Sequence, residues 1–302
     1  MEPATEKATR EAIQEKQVAN IHDKMQNEYD TIVDPWFSHL YNELTPIVEE
    51  VGKLSRSSNP LALDVGSGTG IQTLMFKEEG YSAIGIDISR GLTRVALAKD
   101  RKIGGSGSAG FCISTALNIP FESEKFDLVN CCGSTLSFIL NYSDALKEIC
   151  RVLKPGGRLL LEVENKWNLD AFWVLLSSVF RDFLRYENSF QEALELFRVP
   201  FNQGLTVKWP FTYLDGSVEE MNLRLFTFDE IEKSLDKFGI KIDATIGLHI
   251  FTNLVPSTVL SDPSSQRWIS TMRRFAHLDN RYRRISPFNK FGASLVVIGR
   301  KI

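Results

Sequence analysis

The chain has few cysteines, and none of them are spaced to bind a metal. Its 302 residues include four cysteines, and no C-x-x-C pair of the kind that binds zinc occurs among them. They are Cys112, Cys131, Cys132 and Cys150. We therefore expect reduced thiols, no disulfide framework and no metal site, which is typical of a cytoplasmic protein.

The sequence also lacks a long apolar run and a strong net charge. No stretch approaches the ~20 apolar residues that span a bilayer, and residues 1 to 30 are too polar for a secretory signal. The net charge of -3 provides no global positive field, so we do not expect a nucleic acid as partner. With 43% hydrophobic and 24% charged residues, the composition is that of an ordinary globular protein.

A glycine-rich stretch, Leu61 to Gly70, is the most informative feature that is present. An apolar strand pattern ends near Asp64, glycine occupies positions 66, 68 and 70, and a helical pattern starts at Ile71. Such a turn brings a ligand against bare backbone, because glycine has no Cβ and the helix start offers unpaired N–H groups. The dinucleotide fingerprint G-x-G-x-x-G would need a third glycine at Ile71, so a nicotinamide cofactor is disfavoured.

From Leu61 onwards, strand and helix patterns alternate, which predicts a parallel sheet. The predicted strands are 61–65, 83–87, 111–115, 125–130 and 158–164. Asp87 ends the second strand about 20 residues after the glycine turn, the distance at which an acid binds ribose hydroxyls. The alternative role for Asp87 is a helix N-cap, which Ser89 fills at least as well.

Two later stretches complete a resemblance to a known superfamily. They are Ala116-Leu-Asn-Ile-Pro-Phe121 and Arg151-Val-Leu-Lys-Pro-Gly-Gly157, which precedes the fifth strand. With the turn and Asp87, they resemble the class I S-adenosylmethionine (AdoMet) methyltransferases, in particular the type 11, quinone-biosynthesis-like group that acts on small molecules. The resemblance implies an α/β fold with a seven-stranded, mostly parallel, doubly wound sheet, and AdoMet as cofactor.

The resemblance also implies which residues bind AdoMet. These are Asp64, Gly66, Ser67, Gly68, Gly70, Asp87, Ile88, Thr115, Ala116, Leu117, Gly133 and Tyr29. The family often has an acid at the position of Thr115, where it accepts a hydrogen bond from the adenine amino group. Here the backbone around Ala116 would form the hydrogen bonds to adenine, and the Thr115 hydroxyl would be a weaker acceptor for its amino group. Tyr29-Asp30 resembles an aromatic–acid pair that closes over AdoMet, and the alternative is a plain helical cap.

The segments around the core are expected to bind the methyl acceptor. We predict a helical cap (1–57), an AdoMet-binding core (58–166), an inserted lid (167–225) and a C-terminal part (226–302) that holds strands six and seven. A hairpin should turn at Asp215-Gly216, and Thr227 with Glu230 should form a capping box. A basic cluster precedes the last strand: Arg267, Arg273, Arg274, Arg281, Arg283, Arg284 and Lys290. It is either a solvated face or a contact for an anionic substrate or lipid headgroup.

The reaction itself requires little side-chain chemistry. Methyl transfer from a sulfonium is an in-line displacement that alignment and exclusion of water can accelerate. No Asn/Asp-Pro-Pro-Tyr sequence follows strand four, which disfavours methylation of nucleic-acid bases or glutamine. If a base is needed, His249 and Glu164 are the nearest candidates, although a lone histidine is more often structural. We therefore predict a methyltransferase for a small, lipophilic or anionic acceptor; a non-catalytic AdoMet- or partner-binding protein is the alternative.

Overall fold

The computed structural model describes residues 4–31, 35–53, 58–103, 107–186, 188–213, 215–260 and 266–302. Its helices are α1 (Ala4–Lys24), α2 (Pro35–Gly52), α3 (Ile71–Glu78), α4 (Arg90–Asp100), α5 (Tyr142–Val152), α6 (Leu169–Val179), α7 (Phe190–Arg198), α8 (Phe228–Lys237), α9 (Ser257–Leu260) and α10 (Gln266–Tyr282). Its strands are β1 (Leu61–Val65), β2 (Ser82–Asp87), β3 (Ser108–Ile113), β4 (Phe126–Cys131), β5 (Leu153–Glu164), β6 (Leu205–Thr212), β7 (Val218–Leu225), β8 (Ile240–Leu248) and β9 (Ser294–Lys301). None of the described helices has the length and apolar character needed to cross a bilayer.

Seven of the strands form one sheet in the order β3-β2-β1-β4-β5-β9-β8. Strands β1 to β5 pair in parallel, whereas β9 runs antiparallel to both of its neighbours. The predicted seven-stranded, mostly parallel sheet is thus confirmed. The strand order reverses between β1 and β4, and in open α/β sheets a ligand binds at the carboxyl ends of the strands beside such a reversal. The fold therefore places the glycine-rich turn, which follows β1, at the expected ligand site.

Both faces of the sheet are buried, which explains the nearly continuous apolar strands. Successive strand residues point to opposite faces, so Leu63 and Ala62 belong to different core clusters. On one face Leu63 packs in a cluster with Ile149 of α5 and Ile231 of α8. On the other face, α2 contributes apolar side chains such as Leu44. A parallel sheet covered by helices on both faces has this pattern.

Of the five predicted strands, β3 and β5 differ from the prediction by more than one residue, and β5 begins at Leu153 instead of at residue 158. Strand β3 begins at Ser108 and ends at Ile113, because its residues pair in register with all six residues of β2. Thr115 therefore lies in the loop after β3, and residues 108–110, whose small side chains are typical of a loop, belong to the strand. Residues 104–106 lie outside the described residues.

The segment 167–225 contains α6, α7 and a separate two-stranded sheet, β6-β7. The hairpin turns near Asp215, as predicted; the division into domains stays a prediction. The predicted capping box at Thr227 is only half present, because the N–H of Glu230 donates to the threonine hydroxyl while its carboxylate accepts from Tyr142 and Gly204 instead. A complete capping box, at Ser189, starts α7.

Candidate functional site

The glycine-rich turn has a backbone that other residues adopt only with strain. Gly66, Gly68 and Gly70 have φ angles of 74°, 53° and 82°, all in the left-handed region. A Cβ on Gly66 would lie 2.1 Å from the hydroxyl oxygen of Thr135. A Cβ on Gly68 would meet nothing nearer than Leu92, at 4.0 Å. Gly66 is therefore required for packing, whereas Gly68 leaves open space above the backbone.

Asp64 lies beneath this turn and is almost completely buried. One carboxylate oxygen accepts a hydrogen bond from Thr73 at 2.6 Å, and the other accepts from Asn130 at 2.7 Å. Burial raises the pKa of Asp64 to about 6, although both hydrogen bonds oppose this rise. Both oxygens are thus engaged by the protein, and Asp64 joins β1 to β4 and to the start of α3.

Asp87 connects the turn to the loop after β2. Its carboxylate accepts hydrogen bonds from the backbone N–H groups of Gly68, at 2.8 Å, and Ser89, at 2.7 Å. Burial raises its pKa, while these two bonds oppose the rise. The Ser89 hydroxyl caps α4 by accepting from Leu92, so the N-cap role considered for Asp87 belongs to Ser89. Asp87 remains half-buried, at the edge where a ligand can reach it.

The loop after β3 meets α1 through a carboxylate that sequence reasoning missed. The hydroxyl of Thr115 donates a hydrogen bond to Glu15 and accepts one from the N–H of Leu117 at 3.1 Å. Ala116 is buried between them, and Leu117 is half-buried. A carboxylate is thus present beside Thr115 after all, supplied by a helix 100 residues earlier in the chain.

Helix α1 crosses the loops that follow three of the parallel strands. Asp23 accepts hydrogen bonds from the Ser89 hydroxyl, at 2.6 Å, and from the N–H of Gly91, at 2.7 Å. The buried Gln14 donates to the carbonyl of Phe138 at 3.1 Å and to the carbonyl of Asn222 at 2.9 Å. Because Asn222 belongs to β7, α1 joins the carboxyl edge of the main sheet to the β6-β7 hairpin.

The short segment after α1 reaches the glycine-rich turn itself. Asp30 accepts a hydrogen bond from Thr69 at 2.7 Å and forms an ion pair with Lys99 at 2.6 Å. Tyr29 hydrogen-bonds to Tyr41 of α2 through their side chains. Tyr29 also packs beside Ile88 in an apolar cluster, to which Phe211, Tyr213 and Met221 of the hairpin contribute. These contacts bring Tyr29 together with the loop after β2.

The carboxyl ends of β4 and β5 carry two acids next to a left-handed turn. Gly133 and Ser134 have φ angles of 76° and 59°. The N–H of Ser134 donates to Glu162 at 2.6 Å, and its hydroxyl donates to Glu164 at 2.6 Å. Burial, together with the charge of Glu162, raises the pKa of Glu164 to about 8. Glu164 as a residue is half-buried, and its raised pKa lies close to neutral pH.

His249 occupies a different environment, between α2 and the segment before α10. It has no exposed surface, and its ring packs edge-on against His39 at a centroid distance of 4.8 Å. Its Nδ1 lies 3.1 Å from the hydroxyl of Thr252, and its backbone N–H donates to Glu43. Of the two base candidates, only Glu164 has any exposed surface.

Comparisons with known proteins agree with this architecture. A family model described as a methyltransferase domain matches residues 63–161. The uncharacterized protein MJ0638 of Methanocaldococcus jannaschii is 31% identical over 172 residues, which cover 56% of this chain and 68% of that protein. The demethylmenaquinone methyltransferase of Corynebacterium kroppenstedtii is 29% identical over 151 residues, which cover 48% of this chain and 58% of the enzyme.

A solved structure shows the same fold. A SAM-dependent methyltransferase from Methanosarcina mazei has a TM-score of 0.53 and 20% sequence identity, and the match covers 85% of this chain and 97% of that one. The glycine-rich turn and the strands β2 to β4 lie within the matched domain. The chain therefore belongs to the class I methyltransferases, with S-adenosylmethionine as its cofactor.

Proposed function

We propose that this methyltransferase transfers the methyl group of AdoMet to a small, lipophilic acceptor held between the glycine-rich turn and the β6-β7 hairpin. The observation that carries the proposal is the open backbone at Gly68 beside the half-buried carboxylate of Asp87. Both lie beside the reversal in strand order, where α/β sheets bind ligands.

The cofactor would lie along the carboxyl ends of the strands. Each oxygen of Asp87 accepts one backbone hydrogen bond, so each has a further lone pair for a ribose hydroxyl. Ser67, Gly66 and Gly70 shape the turn, with Asp64 supporting it from below. Ile88, with Ala116 and Leu117, would border the adenine ring. Gly133 and Tyr29 would border the methionine end.

Glu15 is the best candidate to accept a hydrogen bond from the adenine amino group. Its carboxylate bonds to Thr115, which stands where the family often has an acid. A carboxylate accepts hydrogen bonds only, whereas a hydroxyl both donates and accepts. Glu15 and Thr115 together can therefore provide a charged hydrogen-bond acceptor for adenine, which the threonine hydroxyl alone would replace only weakly.

An apolar acceptor suits the side chains around Tyr29. The hairpin contributes Phe211, Tyr213 and Met221 to the apolar cluster that contains Tyr29 and Ile88. Binding sites for small molecules are predominantly apolar, with a few polar groups that fix orientation. Glu164 would be such a group, and in its ionised form it could take a proton from an acceptor oxygen or carbon. The in-line displacement otherwise depends on alignment and exclusion of water.

A lipophilic acceptor also favours peripheral contact with anionic lipid. The end of α6 and the turn after it expose Phe180 and Phe183, which have 61% and 56% exposed surface. Arg181 and Arg185 lie in the same turn, and basic residues next to apolar ones favour an anionic membrane surface. Co-sedimentation with anionic but not neutral vesicles would support this contact, and equal recovery in both pellets would contradict it.

Labelled AdoMet tests the acceptor directly. The protein is incubated with methyl-labelled AdoMet and a cell extract, which is then separated into lipid-soluble and water-soluble fractions. We expect label in the lipid-soluble fraction, and much less of it with Asp87→Asn, which replaces one acceptor oxygen of the carboxylate by an N–H donor. Label confined to the water-soluble fraction would refute a lipophilic acceptor. Calorimetry without any AdoMet binding would refute the cofactor site as well.

A further inference from the structure

A second group of polar side chains lies buried between α2 and α10, apart from the residues assigned to the cofactor. His39 and Glu43 are one helical turn apart on α2, so both point from the same face of the helix. Asp279 of α10 faces them. One donor atom from each of the three residues lies within 4.8 Å of the donor atoms of the other two.

Two atoms of this group have no hydrogen-bond partner among the residues that the structure describes. These are Nε2 of His39 and Oε1 of Glu43, which lie 3.8 Å apart. Glu43 is only 4% exposed, so water does not readily replace the missing partner. A buried carboxylate oxygen without a partner is unfavourable, and an unobserved ion is one of the few explanations for it.

Two acidic side chains in this group also favour a bound cation. Glu43 and Asp279 are both buried carboxylic acids. Arg283 lies near but donates to the backbone carbonyl of Glu43, at 3.4 Å, and not to its carboxylate. Asp279 accepts hydrogen bonds from the N–H of Phe251 at 2.6 Å and the hydroxyl of Thr252 at 2.6 Å. These bonds fix the direction of its carboxylate, as the hydrogen-bonded supports of metal ligands do.

We propose that His39, Glu43 and Asp279 bind a divalent transition-metal ion, with Zn²⁺ as the best fit. Imidazole nitrogen with carboxylate oxygen is a common donor set for zinc, whereas magnesium and calcium prefer oxygen alone. Zinc bonds of about 2.0–2.2 Å place neighbouring donors roughly 3.4 Å apart. The 3.8 Å between Nε2 of His39 and Oε1 of Glu43 is close to this spacing. All three donors lie within 4.8 Å of one another, so side-chain rotations that bring them closer by up to about 1.4 Å would complete the site.

The ion would be structural, because its ligands join α2 to α10. α2 also carries Tyr41, whose hydroxyl lies 3.6 Å from the position of a Cβ on Gly133. Glu43 is further held by the backbone N–H of His249, through its other oxygen. A bound metal would thus fix α2 against α10 and, through Tyr41, beside the end of β4.

Metal content provides the first test, and it does not depend on activity. Protein stripped with a chelator is dialysed against Zn²⁺, and its zinc is measured by mass spectrometry for wild type, Glu43→Gln and Glu49→Gln. Glu49 is an exposed acid on the same helix and serves as the matched control. We expect stoichiometric zinc in wild type and Glu49→Gln, and affinity at least roughly tenfold weaker in Glu43→Gln. Wild type without zinc, or Glu43→Gln with unchanged affinity, would overturn the site.

Cobalt substitution of the wild-type protein keeps the test valid if Glu43→Gln does not fold. Co²⁺ bound to one imidazole and two carboxylates should give a visible absorption band that added Zn²⁺ abolishes. Zn²⁺ should also raise the melting temperature of the stripped wild-type protein. A featureless cobalt spectrum, with no shift in melting temperature, would rule out the proposed ligands.

Discussion

The carboxylate of Asp30 accepts a 2.7 Å hydrogen bond from the hydroxyl of Thr69, which lies between two glycines of the cofactor turn. The segment after α1 is thereby tied to the backbone that shapes the turn. Because Thr69 is almost completely buried, no water competes freely for this bond. The position of Tyr29, next to Asp30, therefore depends on the conformation of the turn, and the converse also holds.

Removing this bond should weaken AdoMet binding. We expect Thr69→Val, which keeps the shape and loses the donor, to raise the Kd for AdoMet roughly tenfold, since a hydrogen bond to a charged group contributes about 1.5–3 kcal/mol. Lys99→Met removes the ion pair to Asp30 but leaves the bond to Thr69, and should have a smaller effect. Calorimetry on both variants checks this, and equal Kd values for Thr69→Val and wild type would contradict it.

Two glycines of the turn should respond differently to alanine. Gly66→Ala places a Cβ 2.1 Å from the Thr135 hydroxyl oxygen, so we expect it to lower the free energy of unfolding by more than about 2 kcal/mol. Gly68→Ala meets only Leu92, at 4.0 Å, and should cost about 1–2 kcal/mol of backbone strain while it blocks the cofactor's approach. Denaturant titration and calorimetry separate these effects. Normal AdoMet binding by Gly68→Ala would show that the ligand does not approach there.

The carboxylate of Glu15 should be exchangeable with one at position 115. We expect Glu15→Ala to weaken AdoMet binding by roughly tenfold, because the adenine amino group loses its charged acceptor. Thr115→Asp added to Glu15→Ala should restore the affinity, since the new carboxylate occupies the same place. Kd values for the single and double variants provide the measurement. If Glu15→Ala binds AdoMet as well as wild type does, or if the double variant binds it no better than the single one, Glu15 does not bind adenine.

Glu164 should make both stability and rate depend on pH between about 4.5 and 8. Its pKa rises from 4.5 to about 8 on folding, first through burial and then through Glu162. In this window the unfolded chain has lost the proton that the folded chain retains, so stability contributed by the neutral carboxyl decreases as pH rises through it. Glu164→Gln should flatten this decrease.

The same titration predicts the direction of the rate profile. If the ionised carboxylate takes a proton from the acceptor, kcat/KM should increase with pH and level off above about 8, and Glu164→Gln should lose this increase. Ser134→Ala removes the hydroxyl that donates to Glu164, and should move the profile to higher pH. An identical profile in wild type and Glu164→Gln would exclude the base role.

The sequence predicted those parts of the molecule whose signals are local. The apolar strands, the glycines of the turn and the acid after β2 are recognised within a few residues of one another. The hydrogen bond between Glu15 and Thr115 was not predictable. Glu15 is one of several acids in a charged helix, and only the packing of that helix against the loop after β3 distinguishes it from the others. His39 and Asp279 are likewise brought together only by the packing of α2 beside α10. The start of β3 was misplaced because pairing with β2, and not its own glycine and serine residues, determines where the strand begins.

The contacts of Gln14 have a kinetic consequence. One buried amide bonds to the loop after β4 and to Asn222 of the hairpin, so neither α1 nor the hairpin can move away without breaking the same bonds. Exchange of the spent cofactor and departure of the methylated product then share one opening event. We expect turnover to be limited by this shared opening instead of by methyl transfer.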